Sequence, residues 1–223
     1  GSKREATVRL VRETIEQLVG GSRVRIWLTN EPKAQLADEA AVGSKSLRNS
    51  LEALDQATPL GVSDVSTAIA NVEQWLDNQS GSLAKSVLYV GDGLGASGGL
   101  SEAAVDRFAT RLANASTPFH TVLVSESTPV RTLHRLATRT GGKLQPISDT
   151  LQPEELVASL CERPLYLKSL ELGPAVQSTA PELLTPLRTD STSLFVGVWA
   201  PAPSMQVAIR GVQDGTPSFA RFD

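Results

Sequence analysis

Cysteine is almost missing from this chain: Cys161 stands alone among 223 residues. No intrachain disulfide and no multi-cysteine metal site can be built from it, and the redox compartment stays open. Histidine is nearly as scarce, with His120 at a strand start and His134 in mid-helix on a solvated face. No nucleophile is fixed near either, so a hydrolase triad is not expected. No apolar run approaches the ~20 residues of a membrane-spanning helix, and no signal peptide is visible. The 21 basic residues form no cluster and are outnumbered by 24 acids, for a net charge of -3. The electrostatic footprint of nucleic-acid binding is therefore lacking. With 40% hydrophobic and 20% charged residues, a folded soluble chain is expected rather than disorder. Gly1-Ser2 reads as an expression scar, and the native chain is expected to continue upstream of Lys3.

What is present is organised around Lys85 to Gly99. Val87 to Val90 is a short apolar run bounded by turn residues, the pattern of a parallel strand covered on both faces. It stops at Asp92, set among glycines. In open α/β sheets, ligands bind beyond the carboxyl ends of the strands. Asp92 is thus either a metal or ligand group, or a turn residue that bonds the backbone around it.

The flanking pattern alternates helix and strand. Ala6 to Val19 carries Val8, Val11, Ile15 and Leu18 on one stripe and ends at Gly20-Gly21. Arg23 to Thr29 reads as a strand, Lys33 to Leu36 as a short edge strand, and Leu47 to Leu54 as a helix. Ser63 opens a helix with Val65, Ile69, Val72 and Leu76 inward. It reads as an N-cap, a role that a ligand role could accompany, and Asp64 reads as a first-turn acid. Ser101 caps a helix from Glu102 to Ala113. Phe119 to Val124 is a strand, Pro129 starts a helix that Gly141-Gly142 stops, and Lys143 to Ile147 is a short strand. Pro153, Glu154 and Glu155 open a helix that runs to Cys161, read as a buried, inert thiol. From Pro164 the helices cease. Leu165 to Leu172, with a bulge near Lys168-Ser169, and the alternating stretches around 194–199 and 205–210 read as half-buried strands. Gly173 to Pro186 reads as loop, and Thr216 to Asp223 receives no assignment. Trp27, Trp75 and Trp199 read as core or junction residues.

The expected architecture is a three-layer α/β domain over residues 3–162, its mostly parallel sheet flanked by helices, followed by a small antiparallel β-rich appendage over 163–223. Gly93-x-Gly95-x-x-Gly98 matches a dinucleotide fingerprint after a strand. However, two strand–helix units precede it, and Glu126 lies beyond the spacing of a ribose-binding acid.

Four local patterns, in order, resemble a von Willebrand factor A-like domain with a Rossmann-like sheet. They are the first helix with Gly-Gly-Ser-Arg-Val-Arg-Ile-Trp-Leu, Pro59-Leu60-Gly61-Val62-Ser63-Asp64-Val65, Val87-Leu88-Tyr89-Val90-Gly91-Asp92-Gly93, and Leu133 to Gly142 ending in Thr-Gly-Gly. The resemblance covers Lys3 to Cys161. It looks most like copies in large bacterial proteins, where a small β region follows, as in inter-alpha-trypsin-inhibitor-heavy-chain-like proteins. It implies a non-catalytic protein-interaction or adhesion module, secreted or in a cell envelope, that captures a partner's carboxylate through Mg²⁺. Asp92 and Ser63 stand where two metal ligands do. The family's Asp-x-Ser-x-Ser loop and the strand leading to it have no counterpart. The resemblance therefore implies an incomplete metal-ion-dependent adhesion site, with Mg²⁺ binding weak or absent in this chain. The lacking strand is expected to come from a partner chain, or the chain is part of a split or trimmed protein. The competing expectations are a doubly wound enzyme holding a nucleotide cofactor on the 93–98 glycine loop, and a purely structural scaffold.

Overall fold

The computed structural model describes residues 3–29, 35–57, 65–79, 83–91, 100–124, 130–148, 150–173, 175–180, 184–201 and 206–222. Its first part alternates helices and strands: α1 (Lys3–Glu16), β1 (Arg23–Trp27), β2 (Gln35–Ala41), α2 (Lys45–Gln56), α3 (Val65–Asp77), β3 (Val87–Gly91), α4 (Glu102–Asn114), β4 (Phe119–Leu123), α5 (Arg131–Thr140), β5 (Leu144–Pro146) and α6 (Pro153–Cys161). Local chemistry sets several boundaries. Ser44 accepts the Leu47 N–H at the start of α2, and Ser101 accepts the Ala104 N–H at the start of α4, each satisfying a donor the helix cannot. α5 ends on Gly141 in the left-handed region, and α6 opens on Pro153 with Glu154 and Glu155 in its first turn.

β3, β4 and β5 are parallel neighbours in that order. All five residues of β4 are buried, because helices cover both its faces. Alternate residues divide between two cores. Tyr89, Phe119 and Leu123 pack with Val72 of α3, Val105, Phe108, Ala109 and Leu112 of α4, and Leu133 and Leu136 of α5. Val122, with Leu88 and Val90, packs with Leu10 of α1 and Leu156 of α6. The result is the expected three-layer α/β body. β1 and β2 form a separate antiparallel pair, backed by α1 and α2 through Ile15, Ala40, Leu47 and Leu51.

The chain then turns antiparallel: β6 (Tyr166–Leu172), β7 (Val176–Ala180), β8 (Val196–Trp199), β9 (Val207–Gln213) and β10 (Thr216–Phe222). β9 lies between β10 and β6, and β7 pairs with β8. The β6–β9 register shifts between Leu167 and Ser169, at the expected bulge.

Several expectations are corrected here. The edge strand beside β1 runs over Gln35–Ala41, well past the expected end at Leu36, while Lys33 and Ala34 lie outside the described residues. Residues 176–180, read as loop, form a strand because β8 supplies their ladder. The tail is a strand too. Asp214 and Gly215 take φ of 49° and 74°, the left-handed pair that a two-residue hairpin turn requires. Cys161 is exposed, since α6 buries Pro153, Leu156 and Ser159 and Cys161 falls off that stripe. Trp199 is 64% exposed on β8 and is no core residue, whereas Trp27 and Trp75 pack against the core and each other.

Gly142 tests the docking of α5 on β4. A Cβ there would land on the Phe119 carbonyl, whereas one at Gly20 meets nothing within 4 Å. Gly142→Ala should destabilise by roughly 2–4 kcal/mol, through forced displacement of buried backbone. Gly20→Ala should change stability by less than about 0.5 kcal/mol. Urea unfolding of the two variants checks this.

Candidate functional site

The parallel strands end together at Gly91, Leu123 and Pro146. This carboxyl edge is where an open α/β sheet places ligands. The Gly91 carbonyl accepts the Val124 N–H at 3.0 Å, so β3 stays laddered to its last residue. Tyr89 lies in the core, stacked on Phe119 at 6.4 Å between ring centroids. A Cβ on Gly91 would sit 2.6 Å from the Tyr89 hydroxyl. The ring therefore runs along the strand toward the edge, and a side chain at Gly91 would have to displace the Tyr89 hydroxyl. Asp92 is the next residue in the chain, and Ser63 precedes the first residue of α3, Val65, by two. Asp92, Ser63, Asp64, the 93–98 glycines, Glu126 and Pro129 all lie outside the described residues. Among the described residues, no group of three or more His, Cys, Asp or Glu side chains converges to hold a metal.

A second polar cluster, at the amino edge of the same strands, escaped sequence reasoning. Arg188 is buried where the antiparallel region meets the α/β body. Its guanidinium donates to the Gly141 carbonyl at 2.6 Å and the Ser159 carbonyl at 3.3 Å. It also grips Asp190 with two bonds of 2.8 and 2.9 Å, and lies 3.5 Å from Glu162. Lys143 reaches Asp190 at 2.8 Å, and Glu162 accepts both the N–H and the hydroxyl of Thr189. Tyr166 donates to the Thr140 carbonyl at 3.0 Å. Thr140 in turn accepts the Phe119 N–H at 2.9 Å. The bidentate fork is the geometry an arginine–carboxylate pair favours. The only sequence cue was two opposite charges, Arg188 and Asp190, after a Pro-, Ser- and Thr-rich stretch.

His120 lies within this cluster, 2% exposed. Its Nδ1 accepts the Lys143 N–H at 3.2 Å, so a neutral ring carries its proton on Nε2. Burial, then the charge of Arg188, lower its pKa to about 3. His134 is exposed on α5, as expected. A cleft of about 340 Å³ opens beside the cluster, lined by His134, Thr138, Gly141, Arg188 and Ser191 among others. Arg188, the one guanidinium among the described residues that line the cleft, is already committed to Asp190 and two carbonyls.

These shifts carry a pH dependence. An unfolded histidine has a pKa near 6.5, so below that pH the unfolded chain binds a proton that native His120 refuses until about pH 3. The contribution is complete above about pH 6.5 and is lost as pH falls. Asp190, held well below the usual carboxylate range by hydrogen bonds from Arg188 and then Lys143, adds a further loss below about pH 4. Between pH 6.5 and 4.5 the chain should lose about 2 kcal/mol through His120 alone. His120→Asn should flatten that limb, as read by urea midpoints at the two pH values.

No protein-family model and no curated protein matches this chain. Solved structures do. A von Willebrand factor type A protein from Catenulispora acidiphila superposes with a TM-score of 0.63 at 13% identity, over 98% of this chain and 60% of that one. The human COPII-coat protein Sec24c gives 0.56 at 11%, over 96% and 40%. The ArnB paralog VWA2 from Sulfolobus acidocaldarius gives 0.52 at 13%, over 98% and 58%. This chain thus spans between two fifths and three fifths of each of those proteins. At such identities the likeness speaks of fold, and it agrees with the element order above: the chain has a von Willebrand factor A-like fold.

Proposed function

We propose that this chain is a non-catalytic protein-interaction module with an incomplete metal-ion-dependent adhesion site. The observation that carries this reading is the carboxyl edge of the β3–β4–β5 sheet, which leads directly from Gly91 into Asp92 within a von Willebrand factor A-like fold. A carboxylate entering at that edge is where such a body would meet a partner's polar group. The donor set argues against a complete Mg²⁺ centre in this chain. Asp92 and Ser63 offer one carboxylate and one hydroxyl, while Mg²⁺ demands near-octahedral oxygen coordination. Partner recognition through Asp92 and Ser63 is therefore direct, a partner cation or hydrogen-bond donor meeting the carboxylate, with Mg²⁺ contributing weakly or not at all. The titratable groups of the amino-edge cluster are engaged in holding the fold. Among the described residues, no helix is long and apolar enough to cross a membrane.

The test couples calorimetry with capture. Titration of Mg²⁺ to 1 mM should give no saturable heat. Cross-linking in extract should capture a partner that Asp92→Ala reduces at least tenfold at unchanged melting temperature. Capture indifferent to Asp92→Ala sinks the reading. So does a specific nucleotide that stabilises by about 2.7 kcal/mol at 100 times its Kd, which would point instead to a cofactor-binding enzyme.

A further inference from the structure

The cleft of about 340 Å³ beside Arg188 lies where the antiparallel region meets the α/β body, the kind of junction at which small-ligand sites concentrate. His134, Ala137, Thr138 and Gly141 line it from one stripe of α5, at helical spacing. Thr185, Pro186 and the run Ser191-Thr192-Ser193 supply the rest, with Gly142 and Leu144 at the start of β5.

Burial divides this lining into a floor and a rim. Ala137, Gly141 and Pro186 are buried, and Gly142 and Leu144 are half-buried. The floor is closed, since a Cβ on Gly141 would fall 2.9 Å from Pro186. His134, Thr138, Ser191, Thr192 and Ser193 are exposed around it. The floor is thus apolar and built mainly of small residues, and the rim is polar.

The rim hydroxyls differ from the others at this joint. Thr140 is engaged with the Phe119 N–H and the Leu136 carbonyl, and Thr189 with Glu162. The side chains of Thr138, Ser191, Thr192 and Ser193 make no hydrogen bond to any described residue. Each hydroxyl both donates and accepts. The lining contains no acid, and its guanidinium is engaged by Asp190 and two carbonyls. A purely apolar ligand would cover the rim hydroxyls without satisfying them, at a cost.

We propose that this cleft is a binding site for a neutral sugar, one pyranose ring wide. A pyranose ring matches both parts of the lining. Its C–H face lies on the Ala137–Gly141–Pro186 floor, and its hydroxyls, donors and acceptors at once, exchange hydrogen bonds with Thr138 on one side and Ser191 to Ser193 on the other. The floor carries no aromatic ring, so the site is a weak one, with a Kd of about 5 mM for a single sugar. The inference is independent of the carboxyl-edge reading, because the cleft lies beside the cluster at the opposite, amino edge of the strands.

The experiment titrates the 223-residue chain with the methyl glycosides of glucose, mannose, galactose and N-acetylglucosamine, each to about 50 mM, and follows the backbone amides by NMR. At least one glycoside should shift the amides of Thr138, Gly142 and Ser191 saturably while those of α2 stay still. Thr138→Val keeps the shape of an exposed side chain and removes its hydroxyl, so it should weaken that glycoside about fivefold, the loss of one neutral hydrogen bond, at unchanged melting temperature. Ser191→Ala serves if that variant does not fold. Still amides with all four glycosides overturn the proposal. So do equal shifts with sorbitol, which has the hydroxyls without the ring, and affinity indifferent to the loss of the rim hydroxyl. Equal shifts with the blocked peptide Ala-Ser-Gly also overturn it, because the cleft would then be a peptide site.

Discussion

Burial of β4 on both faces is the constraint on which the body depends. A strand with five buried residues in a row tolerates no solvated side, so helices must arrive from both directions. α4 and α5 answer on one face, α1 and α6 on the other. Thr140 closes the arrangement by accepting the Phe119 N–H while donating to the Leu136 carbonyl at 2.8 Å. One hydroxyl thus ties the end of α5 to the start of β4. The parallel direction of the sheet follows, because each strand must return through a covering helix.

The antiparallel region is joined to this body by a buried charge as well as by apolar contacts, with Pro164 and Tyr166 buried and Pro164 and Pro186 packed on Gly141. Arg188 reaches across to carbonyls of Gly141 and Ser159, and Asp190 neutralises it there. A guanidinium that deep is tolerable only with its donors satisfied, and the fork to Asp190 together with two carbonyls meets that demand. Ion pairs of this kind hold geometry more than they add stability. The joint therefore fixes where β6 leaves α6. Meanwhile Leu194, Val196, Val198, Phe219 and Phe222 stay exposed farther along the region.

What the sequence made legible was periodicity, and what it hid was context. Val105, Phe108 and Leu112 stand on one stripe of α4 and are buried. Residues 87–90 form a strand as their composition implies. Residues 176–180 have no apolar alternation, and only the ladder from β8 makes them a strand. The tail was readable in part, for Asp214-Gly215 is a hairpin-turn signal between two strands of equal length. Cys161 and Trp199 were misjudged because hydrophobic type does not reveal which stripe or edge a residue falls on. Arg188 was invisible for a deeper reason: its partners, Gly141 and Ser159, lie 47 and 29 residues away, and no local pattern records such distances. Of the candidate site, the approach of β3 to its carboxyl end was legible, whereas Asp92 and Ser63 themselves lie outside the described residues.

β3, which leads along the chain into Asp92, has a ladder partner on one flank among the described residues. Its ladder to β4 fixes Val87, Tyr89 and Gly91, so the direction in which the chain leaves Gly91 is set from one side only. A strand held on one edge twists and frays more readily than one held on both, since each residue of a central strand is anchored by bonds to left or right in alternation. The bond from the Val124 N–H to the Gly91 carbonyl is the last anchor of β3 among the described residues, so the β4 ladder is what sets the strand's carboxyl end.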